Sequence, residues 1–259
     1  AEATFTILSP TSSLLSATLA PGVPLYTRSG TLVGLSGTNT RSITKHLHIL
    51  SPLLRSLTLT PWLYQRVTSA GGYSALIGTR SAMTSMSVLN LDGREDWNII
   101  KKNAILAWAG EKLALTPSLT GASRGTSLLS HAISLSGTEI TGRGLVAVVG
   151  KGALHQINLK NGEEYILRRG NVVGYTLTCH PERFSFESKM TLRVPDLFTH
   201  TRFWTELRKT GVYRFSATLG GLVGRVWGWV MGEEPYFLFR GPGRVIFQSR
   251  GTGVRDLVT

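Results

Sequence analysis

One cysteine in 259 residues, Cys179, excludes an internal disulfide and leaves no set of thiolates for a metal site. A chain of this length can bury a substantial core without such staples, and the cysteine usage fits a reduced compartment or one in which disulfides are unused. Carboxylates are also scarce, with 15 Asp and Glu against 28 Lys and Arg, for a net charge of +13. Between Glu2 and Asp92 there are none, although Arg28, Arg41, Lys45, Arg55, Arg66 and Arg80 fall in that stretch. No carboxylate pair can form within it, and the excess of cations favours anionic partners such as nucleic acid, acidic lipid or acidic protein. Long apolar runs are missing too. The best candidate, Thr218 to Gly232, is interrupted by Arg225 and is shorter than the roughly 20 residues needed to span a bilayer as a helix. The beginning, from Ala1, shows neither a secretory apolar region nor an Arg-rich amphipathic leader.

What is present is a β pattern. Apolar segments of five to eight residues alternate with Gly, Pro or Asn-Gly, which is the spacing of an all-β sandwich. Strands are expected within Leu25 to Leu35, Ile99 to Leu115, Leu145 to Leu159, Tyr165 to Leu177, Lys189 to Val194 and Tyr236 to Gln248. Asp92-Gly93 and Asn161-Gly162 predict tight type I′ hairpins, because both dipeptides tolerate positive φ. Gly241-Pro242-Gly243 predicts a type II turn, and Gly150-Lys151-Gly152 fits the same slot. A short helix is expected after Asp196, with Phe203, Trp204 and Leu207 on one face and Gly211 as its stop. Ile43 to Leu57 fits a helix or a strand, and Pro52 breaks either.

An internal repeat organises these elements. Arg28-Ser29-Gly30-Thr31-Leu32-Val33-Gly34 matches Arg168-Arg169-Gly170-Asn171-Val172-Val173-Gly174, 140 residues later. Gly150-Lys151-Gly152-Ala153-Leu154 aligns with Gly241-Pro242-Gly243-Arg244-Val245, and Ala109-Gly110-Glu111-Lys112-Leu113 is a weaker third copy. The expectation is one β-rich domain over residues 1–259, made of two pseudo-repeated halves, about 1–140 and 141–259, with repeated hairpin modules and one or two short helices.

The candidates for chemistry are few. His46 and His48 project to one side of a strand at a spacing that can bind metal, but no carboxylate lies near in sequence, and a solvated strand face explains them. Cys179-His180 are adjacent strand residues that face opposite ways, so they cannot form a nucleophile–base dyad. Glu163-Glu164 and Glu233-Glu234 are expected at turns as solvated carboxylates. Gly241-Pro242-Gly243-Arg244 lacks the Lys-Ser/Thr of a phosphate-binding loop, and no Gly-x-Ser-x-Gly elbow occurs. The expectation is therefore no catalytic residues, no metal and no cofactor. Arg28, Arg168, Arg169, Arg240, Arg244 and Arg250, grouped about the repeated turns, are the candidate anion-binding residues, since guanidinium favours bidentate phosphate contacts. Thr218 to Met231 carries apolar residues at helical spacing beside Trp227 and Trp229, which suits either core or subunit packing or an interfacial membrane contact.

Four separated motifs carry a resemblance: Leu25-Tyr26-Thr27-Arg28-Ser29-Gly30-Thr31-Leu32-Val33, Pro61-Trp62-Leu63-Tyr64-Gln65-Arg66, Ala104-Ile105-Leu106-Ala107-Trp108-Ala109-Gly110 and Phe239-Arg240-Gly241-Pro242-Gly243-Arg244. Asp96-Trp97 and Phe203-Trp204 add to them. The chain resembles the fungal altered inheritance of mitochondria protein 24 family over nearly its whole length. The resemblance implies a TRAP-like β-sandwich, a removed transit peptide and a mitochondrial, inner-membrane-associated location. It also implies a non-enzymatic scaffold that supports cristae organisation and respiratory complexes. The partners expected from charge and resemblance together are acidic phospholipid such as cardiolipin, cristae-organising or respiratory-complex proteins, and a second copy of the chain. Mitochondrial rRNA or the ribosome is the alternative partner. A shared fold transfers no ligand site, so no tryptophan or RNA pocket is expected from the fold name.

Overall fold

The computed structural model describes residues 2–8, 14–50, 55, 61–79, 81, 83–110, 112–118, 137–184, 186 and 236–251. The chain is all-β, and every pairing between named strands is antiparallel. The strands are β1 Ala3–Ile7, β2 Leu14–Leu19, β3 Leu25–Arg28, β4 Leu32–Gly37, β5 Thr44–Ile49, β6 Leu63–Thr68 and β7 Tyr73–Gly78. There follow β8 Thr84–Asp92, β9 Trp97–Ile99, β10 Ile105–Ala109, β11 Ala114–Ser118, β12 Gly137–Thr141 and β13 Arg143–Lys151. The last six are β14 Leu154–Leu159, β15 Glu164–Arg168, β16 Val172–Thr176, β17 Glu182–Phe184, β18 Tyr236–Arg240 and β19 Gly243–Gln248. The ambiguous segment after Ile43 is thus a strand, β5, as far as Ile49. The expected helix after Asp196 and the strand from Lys189 to Val194 lie outside the described residues, as do Trp227 and Trp229.

The sheets run β1-β2-β7-β4, β5-β6-β3-β10-β13-β8, β11-β12-β9-β16-β19-β14 and β15-β18-β17. Adding six to each label of the second sheet generates the third. The fourth sheet is the first half of the same pattern, and β4-β7-β2 of the first sheet is its second half. The repeat is therefore threefold, with a step of six strands, and the expected division into halves is corrected: a boundary near residue 140 falls inside β12. The two motifs 140 residues apart stand at the first and third steps. The middle copy is Lys101-Lys102-Asn103-Ala104-Ile105-Leu106-Ala107, in which Asn103 takes the positive φ (63°) that Gly30 takes (79°) in the first. Asn tolerates this backbone region better than most residues, so the turn persists while the glycine signature disappears. The strand that follows carries the same irregularity at each step. Register shifts occur between Leu32 and Gly34, between Ile105 and Ala107, and between Val172 and Gly174, so that Val33, Leu106 and Val173 occupy equivalent bulges.

The glycine turns are corners between sheets and not the hairpins that the sequence suggests. Gly22 (φ 78°), Gly93 (82°) and Gly162 (84°) end β2, β8 and β14, and in each case the next strand belongs to the next sheet. The dipeptide chemistry is as expected, but the flanking strands find better-matched partners elsewhere. Gly241-Pro242 likewise leads from the fourth sheet to the third, through a cis peptide, and Gly243 is not at positive φ as a type II turn would require. Three apolar clusters fill the spaces between successive sheets. One is built around Leu15, Leu25 and Leu106, the next around Trp97, Trp108 and Ile140, and the third around Tyr175, Phe237 and Phe239. Among the described residues no helix is long and apolar enough to cross a membrane.

Candidate functional site

Side chains directly opposite one another in antiparallel strands share a face, and this rule gathers one set of residues on the second sheet. His46 of β5 faces Arg66 of β6, Arg66 faces Tyr26 of β3, and Tyr26 faces Trp108 of β10. Two positions along, His48, Tyr64 and Arg28 form a parallel row. Tyr26 lies flat on Trp108, with ring centroids 5.0 Å apart and an interplanar angle of 7°, and Tyr64 meets Trp108 edge-on at 4.7 Å. His48 tilts against Tyr26 at 4.9 Å, and the Arg66 guanidinium stands 6.0 Å from the Tyr26 ring centre. Trp108 and Tyr64 are buried, Tyr26 and His48 are half-buried, and Arg66 is exposed. The aromatic stack is therefore a fixed platform with a cation at its rim, an arrangement that places Arg66 over a π face.

Tyr26, His48, Arg66 and Trp108 form one wall of a cleft of about 390 Å³, and Leu113, Ala114 and Leu115 from β11 and its approach form the other. Leu50 lies in the lining between them, and the described lining residues include no carboxylate. Burial and, after it, the Arg66 charge hold the His48 pKa below its ordinary 6.5, so the imidazole is neutral at neutral pH. Beneath the wall the Arg55 side chain is buried and donates from Nη1 to the Pro61 carbonyl at 3.1 Å. Burial lowers its pKa, while the neighbouring Tyr64 hydroxyl acts in the opposite sense. The cleft thus offers an exposed cation, an aromatic platform and an aliphatic wall. It suits an anion that carries an apolar body.

The strands of the sheet that bears the cleft also carry few carboxylates beside their cations. Strands β3, β5, β6, β10 and β13 contain no Asp or Glu, and β8 has only Asp92, its last residue. Three carboxylates elsewhere, Glu95, Glu164 and Glu182, are paired with arginines. Arg240 donates to Glu164 at 2.8 Å and to Glu182 at 2.9 Å, and the first of these contacts raises its pKa. Arg244 donates from Nε to Glu95 at 2.8 Å and lies 5.4 Å above the Trp97 ring. Both were candidate anion-binding residues, and the structure commits their charge internally. Arg28 donates to the Asn103 carbonyl at 2.8 Å, and Arg250 points at the Met83 sulfur. Arg168 closes β15 at the end opposite Glu164, with Arg169 in the turn beyond it. Arg28 stands at the first step of the threefold order and the other five arginines at the third.

The cleft residues were present in the sequence as separate motifs. Tyr26, Arg66 and Trp108 each sit in a different one of the segments that carry the family resemblance, and the sheet order β6-β3-β10 makes the three adjacent. His46 and His48 do share a face, as the alternation predicts, but His48 packs against an aromatic ring, and no cluster of three metal-ligating residues occurs among the described residues. Cys179 is buried, and burial raises its pKa. Glu164 lies within β15, paired with Arg240, and not in a turn; Glu233 and Glu234 fall outside the described residues.

Comparison with known proteins agrees with the resemblance. A solved protein from Streptococcus pyogenes shares the fold at a TM-score of 0.58 and 17% identity, over 96% of this chain and 94% of that one. Altered inheritance of mitochondria protein 24 of Emericella nidulans is 37% identical over 100% of this chain, and that of Blastomyces gilchristii is 38% identical over 100%. The chain spans 65% and 66% of the length of those two relatives, both named as mitochondrial. The model of the mitochondrial biogenesis AIM24 family matches residues 5–250. The chain belongs to this mitochondrial biogenesis family.

Proposed function

We propose that the chain is a non-enzymatic binding module, a scaffold at the mitochondrial inner membrane that supports cristae organisation and respiratory complexes by holding an acidic phospholipid such as cardiolipin. The observation that carries the reading is the cleft of the second sheet, with exposed Arg66 at the rim of the Tyr26–Trp108 platform and no carboxylate among its described lining residues. A phosphate diester at Arg66 would satisfy the cation, and the glyceride part would cover the half-buried ring of Tyr26 and the Leu113–Leu115 wall. His48 is flanked by the Arg66 cation, and no carboxylate stands among the described lining residues to pair with it, an arrangement in keeping with a binding role.

Flotation with liposomes tests this reading. Vesicles containing cardiolipin are expected to carry the protein, vesicles of phosphatidylcholine alone are not, and Arg66→Glu is expected to weaken flotation at least tenfold. Equal binding to both vesicles, or cardiolipin binding indifferent to Arg66→Glu, contradicts it. Displacement from the vesicles by RNA in an Arg66-dependent way would assign the cleft to nucleic acid instead.

A further inference from the structure

The threefold order is interrupted at one place. In the second sheet β3 pairs with β10, and in the third β9 pairs with β16; the next pair in the series would join β15 to β4. Among the described residues those two strands instead end the fourth and first sheets, each with no strand paired on its outer side. Their side chains show the difference. Val33 is 66% exposed, whereas its counterparts Leu106 and Val173, in the same bulge, are 0% exposed inside the first and second apolar clusters. Tyr165 is 41% exposed, whereas Leu25 and Trp97, which the register places at the same position, are 0% and 1% exposed. Ile166 beside it is exposed as well.

Neither edge carries a charge or a proline in the interior of its strand. Strand β4, Leu32–Gly37, has no charged residue and no proline, and β15 has charge only at its ends, Glu164 and Arg168. We infer that these edges are completed by a second copy of this chain, with β15 of one copy pairing antiparallel with β4 of the next. This forms a seven-stranded sheet, β17-β18-β15-β4-β7-β2 in the order of the two six-stranded sheets with β1 added beyond β2, and seats Val33 on the third apolar cluster. The occupant follows from the chain's own pairings, which make this junction twice, in one register: Tyr26 opposite Trp108 and Asn98 opposite Tyr175. The same register sets Ile166 opposite Leu35. The contact joins two different edges, so it is heterologous and builds a ring or an open array. It rests on the sheet order and not on lipid binding.

Mixing two singly substituted full chains of different tag length, Leu35→Cys and Ile166→Cys, under mild oxidation tests the inference, with the unsubstituted chain, whose Cys179 is buried, as control. A disulfide between the two variants is expected, together with a native mass that rises with protein concentration. Val33→Asp, at an exposed position, is expected to keep the circular dichroism of the parent while remaining monomeric. A disulfide formed only within one chain carrying both substitutions would show that the edges close on themselves and overturn the inference. So would disulfides only between identical variants, an absence of cross-linking, or a parent chain that is monomeric at every concentration.

Discussion

Single side chains carry charge and donor groups whose consequences differ by position. The Tyr73 hydroxyl donates to the carbonyls of Val23 and Val67, at 3.0 and 2.9 Å, in a buried site, and burial pushes its pKa up to about 12. Tyr73→Phe leaves both carbonyls without this donor and is expected to cost about 1–3 kcal/mol in denaturant unfolding. Above its ordinary pKa of 10.0 the folded state keeps a proton that the unfolded state releases, so stability falls as pH rises from 10 towards 12. His48 works in the other direction. Its folded pKa is depressed, so the unfolded state binds more protons just below pH 6.5, and this contribution to stability is full above 6.5 and declines as the pH falls. Melting curves between about pH 5 and 7.5 should show an acid decline that is smaller in His48→Gln. Arg66 and Arg240 separate binding from internal pairing: Arg66→Ala should weaken cardiolipin binding, whereas Arg240→Ala, whose guanidinium is committed to Glu164 and Glu182, should leave it unchanged.

Strands and turns show where a sequence speaks for itself and where it does not. A Cβ on Gly142, at φ 97° between β12 and β13, would lie 1.9 Å from the Lys112 carbonyl oxygen, so Gly142→Ala is expected to cost about 2–3 kcal/mol or more in chemical unfolding. Such positions are readable locally, because positive φ selects glycine: Gly93 and Gly162 were identified as turn residues from the dipeptides alone. Whether the chain then folds back or passes to another sheet is a tertiary matter. The outcome depends on which strands complete β8 and β14, namely β13 and β19, far along the chain. For the same reason the repeat showed as two copies. Asn103 and Ala107 keep the backbone of the middle copy while erasing its glycines. Tyr26 and Trp108 fall in expected strands and Arg66 does not, and the convergence of the three depends on the order β6-β3-β10, which no local pattern contains. Trp108, stacked on Tyr26 and met edge-on by Tyr64, anchors that convergence, and Trp108→Ala is expected to cost about 3–5 kcal/mol.

At the scale of the whole molecule the charge is partitioned by sheet. The first sheet has no charged residue in its strands, the fourth pairs its carboxylates with Arg240, and the second holds cations in strands almost without carboxylates. Among the described strands, the second sheet is thus the one suited to an anionic surface, and its neighbours are neutral or self-paired. Sequence counting found the carboxylate-free stretch, and the fold brings most of its strands into the first two sheets. The most direct measurement is amide hydrogen exchange of the full chain with and without cardiolipin vesicles. Slower exchange at residues 44–50 and 63–68, the strands that carry His48 and Arg66, is the predicted result. Protection confined to residues 164–184 and 236–248, or no protection in the presence of bound vesicles, would contradict the assignment of the second sheet as the binding face.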